Sequence, residues 1–346
     1  MALLHDSAVI SRAVLQYSPV LIDADLVGLV RTLELPMLVA LSQRDSVSPR
    51  LAAALIARGD RDLTIRLLRR SEIALGEQLL GELAIGLGDV PEARGALLAR
   101  RDLPASARLH LVQKVTEALR SARMVKGALA ADRLDRVLRD CTDTAISAIG
   151  EREAVKASPV YVSELVVNDG VNTRILLHAV VTGHVMFFAD CLAELAQAPR
   201  GKVFSLLESG SRPALNALLA RCGLGEGIRN LLTRLVLHAR ASDLADDAAA
   251  RHYVVTALTE ELIAEHGGVI PEELEEAFAY LSEQNIMLAR KAARGVMRAF
   301  AEETRRPMTL PAVDGEPMLV LPAASWAGGS LRQRRASRRA RPCAPA

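Results

Sequence analysis

Apolar residues recur along this chain at three- and four-residue steps, in short blocks whose ends are marked. The clearest block is SPRLAAALIARG, from Ser48 to Gly59. Ser48 is placed to cap the first free N–H groups of a helix, Pro49 suits the first helical position, and Gly59 can take the left-handed conformation that ends one. Leu51, Leu55 and Ile56 fall on one stripe, which needs a second helix to stay dry. RDLTIRLLRR follows and puts Leu63, Leu67 and Leu68 on one face, so the two blocks read as a helical hairpin.

A terminating glycine followed by a Leu-Leu pair recurs at Gly88 with Leu97 and Leu98, and at Gly210 with Leu218 and Leu219. A looser copy runs from Gly170 to Leu176 and Leu177. Each hairpin would bury one face against the next, as in HEAT and armadillo arrays. The best strand candidate, SPVYVSELVV from Ser158 to Val167, reads as a helix because Pro159 suits a first helical turn. The expected fold is therefore all-α: a HEAT-like α-solenoid of stacked helical hairpins, with a long C-terminal helix and a disordered basic tail.

The expected divisions are an N-terminal helical-repeat lobe over 1–130, a long connecting helix over 131–157, a second repeat lobe over 158–268, a long C-terminal helix over 269–304 and a Pro/Arg-rich tail over 305–346. Leu134, Val137, Leu138, Cys141, Ala145 and Ile149 give the connecting segment its helical spacing. In the C-terminal helix, Glu272, Glu273, Glu275 and Glu276 come early and Arg290, Lys291, Arg294 and Arg298 come late, which suits the helix dipole.

The Gly59 hairpin, ARRDLP at Ala99 to Pro104, and the block from Gly170 to Gly223 together resemble the bacterial domain-of-unknown-function family numbered twenty-three thirty-six. In the late block the matching residues are Thr173, Leu176, Leu177, Phe187, Phe188, Leu192, Ala193, Cys222, Gly223 and Leu224. The resemblance runs over roughly residues 20 to 240. It implies a HEAT-like helical fold and brings no catalytic residues with it. The stretch after Arg305 has no counterpart in the family pattern.

Composition narrows the picture. Half of the 346 residues are hydrophobic but only 3% are aromatic, so the core must be aliphatic, which suits close helix packing. The net charge of +2 belongs to the C-terminus: from Glu303 onward there are eight arginines and three acids, leaving 35 basic and 38 acidic residues before it. Cys141, Cys191, Cys222 and Cys343 are scattered, which reads as free thiols in a reducing compartment. No signal-peptide pattern and no membrane-spanning run are apparent, so a cytoplasmic location is expected.

Chemistry-bearing patterns are sparse. His178 and His184 are six residues apart, whereas ligands on one helix face sit three or four apart, so ordinary histidines are the simpler reading. GLGEG at Gly223 to Gly227 lacks the preceding strand of a dinucleotide loop and reads as a helix end joined to a helix start. Arg58, Arg61, Arg66, Arg69, Arg70, Arg100 and Arg101 would form a partner-binding stripe if successive hairpins align, although Asp60, Asp62, Glu72 and Asp102 are interspersed. Leu274, Phe278, Leu281, Asn285 and Leu288 follow a coiled-coil rhythm, which suits either a homodimer seam or a cover for the last hairpin.

No catalytic, cofactor-binding or metal-ligating set emerges. The expected function is that of a non-catalytic interaction, scaffold or regulatory protein with a protein partner. One alternative is nucleic-acid binding through the arginine face and the tail arginines Arg332, Arg334, Arg335, Arg338, Arg339 and Arg341. Another is an enzyme with a divergent site between the lobes.

Overall fold

The structure, a computed structural model, describes residues 7–242 and 247–303, and within them every regular element is a helix. The tail arginines, Trp326 and Cys343 lie outside the described residues. The elements are α1 (Ala8–Tyr17), α2 (Asp23–Leu29), α3 (Leu35–Ser42), α4 (Pro49–Ile56), α5 (Arg61–Leu68), α6 (Glu77–Leu87), α7 (Pro91–Ala99), α8 (Ala105–Ser121) and α9 (Arg123–Ala128). They continue with α10 (Ala131–Val155), α11 (Val160–Val167), α12 (Thr173–Thr182), α13 (Val185–Leu195), α14 (Arg200–Ser209), α15 (Arg212–Arg221), α16 (Glu226–Arg240), α17 (Ala248–Glu265) and α18 (Glu272–Glu303). The described residues up to Met297 form one compact unit, and a second unit begins at Arg298.

Local chemistry sets the helix ends. The Ser48 side chain accepts from Leu51 N at 3.0 Å, Asp60 caps α5 through Leu63 N at 2.8 Å, and Asn172 caps α12 through Ile175 N at 2.9 Å. Gly59 takes φ +75° after α4, and Gly223 takes φ +77° within GLGEG, between α15 and α16. The other terminating glycines differ from that pattern. Gly88 and Gly210 are not left-handed, and a Cβ at either would stand 2.5 Å from the carbonyl oxygen four residues back. Near Gly170 the left-handed residue is Asp169, at φ 52°.

In the first half, α1 packs on α3, α3 on α5, α5 on α7 and α2 on α4. Arginines fix this relation. Arg44, just after α3, donates to the Leu15 and Ser18 carbonyls at 2.6 and 2.9 Å. Arg70, just after α5, donates to Ser42, Arg44 and Asp45 at 2.7, 2.7 and 3.1 Å. Arg100, just after α7, donates to Leu68, Arg70 and Ile73 at 3.2, 3.1 and 2.6 Å. The last carbonyls of a helix have no partner inside it, so each guanidinium supplies donors to the helix end two elements back. Arg221 and Arg240 do the same later in the chain, reaching Ala196 and the Leu206–Gly210 end of α14 respectively.

Two aliphatic clusters make the core. One runs from Leu15 to Leu111, and the other from Ile146 to Leu288 with Phe187, Phe188 and Tyr280 fully buried. The α10 helix packs on α8 as well as on α12 and α13. No described helix is long and apolar enough to cross a membrane.

Candidate functional site

Three helices bring polar side chains into the second cluster at helical spacing. The α12 helix contributes Arg174, His178 and Thr182, each four residues after the last, α10 contributes Asp140, Asp143 and Thr144, and α18 contributes Tyr280 and Gln284. Gly183, left-handed at φ 82°, ends α12 and turns the chain so that His184 lies beside Thr182. Glu151 of α10 supplies the cap that α13 lacks locally, accepting from Phe187 N at 2.8 Å and Met186 N at 3.4 Å.

The hydrogen positions in this network follow from counting protons. Thr144 Oγ1 spends its one proton on the Asp140 carbonyl at 2.7 Å, so it accepts from His178 Nε2 at 3.4 Å. The neutral His178 ring then has its lone pair on Nδ1, which accepts from the Tyr280 hydroxyl at 3.0 Å. In the same way Thr182 Oγ1 donates to the His178 carbonyl at 2.6 Å and accepts from His184 Nδ1 at 2.7 Å. His184 is left with its Nε2 lone pair and, among the described residues, no partner for it.

Charges brace the other side of Tyr280. The Arg174 guanidinium lies 4.8 Å from the Tyr280 ring centroid and pairs with Asp143 at 2.7 Å and Asp140 at 2.5 Å. Burial pushes both carboxyls above the ordinary Asp range, more than the Arg174 charge brings them down. Burial also pushes the Tyr280 hydroxyl well above its usual range. His178 is pushed down to about 4, first by burial and then by the charges of His184 and Arg174.

That shift has a pH signature. His178 titrates lower in the folded chain than in the unfolded chain, where a His sits near 6.5. Between these values only the unfolded state takes up the proton, so stability is complete above about pH 7 and falls as pH drops from 6.5 towards 4. The raised carboxyls of Asp140 and Asp143 act in the opposite sense, and they are common to wild type and a His178 variant. Urea titrations are expected to show that wild type loses about 2 kcal/mol more than His178→Gln between pH 7 and pH 5. Parallel curves for the two proteins would rule out a buried neutral His178.

These groups form one wall of a cleft of about 830 Å³. Asp140, Thr144, His178, Thr182 and His184 line it, and Arg251 of α17 with Gln284, Met287, Arg290, Lys291 and Arg294 of α18 complete it. Asp140 is the one acid in the lining, and Arg174 pairs with it and with Asp143 at once, so one guanidinium is shared between two carboxyls. Among the described residues no three His, Cys, Asp or Glu side chains converge as a metal site.

A family of uncharacterised proteins conserved in bacteria, DUF2336, matches this chain over residues 10–266. The chain belongs to that family. No curated protein and no solved structure matches it. The DUF2336 match takes in α10, α12 and Arg251 but stops before α18, so the cationic half of the cleft lies beyond the part this chain has in common with the family.

The sequence-derived arginine stripe is divided by the structure. Arg100 is 2% exposed and has no surface to offer a partner, because its whole fork is turned inward on carbonyls and on Asp102. Arg70 is turned onto carbonyls as well and pairs with Glu72, and Arg58 donates to the Arg31 and Leu33 carbonyls at 2.8 and 3.4 Å. Arg61, Arg66, Arg69 and Arg101 are exposed. In the C-terminal helix, Leu274, Leu281 and Leu288 are buried in the second cluster, Phe278 packs against it, and Asn285 accepts from Thr256 Oγ1 at 3.0 Å. This stripe therefore covers its own core.

His178 and His184, unpromising by their six-residue spacing, line the same cleft, and the Thr182 hydroxyl links the His184 ring to the backbone carbonyl of His178. The signal in the sequence is the row Arg174, His178, Thr182, polar at every fourth position of an otherwise aliphatic helix. Cys191 is buried and Cys222 half-buried, and burial pushes both thiols up, away from the reactive thiolate.

Proposed function

We propose that this is a non-catalytic interaction protein, scaffolding or regulatory, in which a HEAT-like solenoid of stacked hairpins offers a repeated helical surface to a protein partner. The observation that carries the reading is the arginine ladder. Arg44, Arg70 and Arg100 each tie a helix end to the helix two elements back, so one packing relation recurs along the first half. Elements repeated in this way set equivalent outer residues side by side, which suits recognition of an extended partner. Arg61, Arg66, Arg69 and Arg101 are among the exposed cations of that region, and acidic side chains are their natural complement. The committed protons of Thr144 and His178 leave neither of these two groups poised as a general base.

Crosslinking in the native cell followed by mass spectrometry tests this. A small reproducible set of partner peptides is expected with the full chain. It should disappear when Arg61, Arg66, Arg69 and Arg101 are changed to Glu with an unchanged helical circular dichroism spectrum. Crosslinks indifferent to those changes, or none above background, would defeat the proposal. Retention of nucleic acid that is lost in the same variant and falls steeply with salt would put the nucleic-acid reading in its place.

A further inference from the structure

We infer that the cleft between α10, α12, α17 and α18 is a binding site for a small organic polyphosphate, a ligand of nucleotide size with two or three phosphate groups. The inference is independent of the partner surface proposed above, because it rests on different residues, on α10, α12, α17 and α18.

Charge is the first argument. Arg290, Lys291 and Arg294 line the cleft from consecutive turns of α18, and Arg251 faces it from α17. Among the described residues neither Arg290, Lys291 nor Arg294 has an ion-pair partner. In the lining the only carboxylate is Asp140, held at 2.5 Å by Arg174. Cations brought together without acids repel one another and concentrate an anion's potential in the concavity between them. The three α18 cations alone carry more charge than a dianionic phosphate monoester, and a di- or triphosphate can reach more of them at once.

Donor geometry is the second argument. The α18 cations provide fork and point-charge donors suited to phosphate oxygens. His184 is oriented by Thr182 so that Nε2 is its open nitrogen, while burial and the nearby Arg251 charge favour its neutral ring, so the donors of the cleft are the cations of α17 and α18. The wall behind is rigid, since Tyr280, His178 and Thr144 are locked in one hydrogen-bond chain. Size is the third. About 830 Å³ exceeds the needs of inorganic phosphate and lies in the usual range for small-molecule sites, with Met287 and Leu288 as an apolar floor for the uncharged part.

The test is isothermal titration of the full chain with pyrophosphate, tripolyphosphate, ADP, ATP, GDP and GTP at physiological salt. The tail stays in place throughout, so that its arginines are common to every protein compared. Saturable binding of one stoichiometric ligand is expected for at least one nucleotide. Lys291→Gln with Arg294→Gln is expected to weaken it about 30-fold, since each charge-assisted phosphate contact is worth more than a neutral one. Both side chains are exposed, and an unchanged melting temperature without ligand separates lost binding from lost folding. Arg66→Gln with Arg69→Gln, on α5 and its end, should leave the affinity as it was. Binding unaffected by the α18 changes, binding weakened equally by the α5 changes, or no saturable binding to any probe would overturn the inference. So would binding of a phosphoserine peptide with none of the small probes bound.

Discussion

Arg100→Met is expected to lower the unfolding free energy of this protein by about 3–5 kcal/mol, the cost of removing one partner from a buried charged network. All five N–H groups of Arg100 are used: Nε and Nη2 grip the two Asp102 oxygens at 2.9 and 2.6 Å, and Nη1 and Nη2 reach the Leu68, Arg70 and Ile73 carbonyls. Methionine keeps the length and apolar stem but provides no donor. The Leu68, Arg70 and Ile73 carbonyls, at the end of α5 and in the turn after it, then lose the Arg100 donors. Burial pushes the Asp102 carboxyl up, and it is the hydrogen bond and charge of Arg100 that hold it below the usual range, so that hold is lost as well.

Arg100→Lys is expected to recover less than half of the loss, because a point-charge ammonium cannot satisfy the fork. Urea unfolding followed by circular dichroism measures both variants. A loss for Arg100→Met below about 1 kcal/mol, the size of an exposed ion pair, would mean the ladder contributes little to holding the hairpins.

Arg100 also marks where sequence reasoning stopped. The ends of α4 were legible because its signals are local: Ser48 reaches three residues on, and Gly59 needs only its own φ, whereas the Asp60 cap of α5 reads in the sequence only as a surface acid. The long α10 and α18 were legible from periodicity, which survives without tertiary knowledge. The arginine ladder was not, since its acceptors lie 25–32 residues away and a carbonyl has no residue identity to read. Arg70 and Arg100 consequently looked like surface charge. The cleft was half legible. Arg290, Lys291 and Arg294 stood out as late-helix cations, but nothing local says that α18 lays them across from His184. That juxtaposition depends on Leu274, Tyr280, Leu281 and Leu288 seating the helix in the second cluster.

Phe187→Ala is expected to cost about 3–5 kcal/mol, as for other buried aromatic truncations. The ring is 0% exposed, tilts against Tyr161 at 6.5 Å between centroids and sits directly over the backbone of α10 at Gly150. A Cβ built on Gly150 would stand 2.1 Å from Phe187 Cδ2 and 2.7 Å from Cγ, well inside contact distance and towards the root of the ring, where a small rotamer change gives no relief. Gly150→Ala in a helix interior would ordinarily gain up to about 1 kcal/mol. Here overpacking of about 1–3 kcal/mol opposes that gain, so a net loss is expected.

The two substitutions should compensate. With Ala at 187 the space above Gly150 opens, and the added methyl both escapes the clash and fills part of the cavity. Gly150→Ala combined with Phe187→Ala is therefore expected to be more stable than the sum of the single losses by at least about 1 kcal/mol. Strict additivity would show that α13 does not bear on α10 through this ring. The seating of His184, whose helix start is capped by Glu151 one residue along from Gly150, would then need another support.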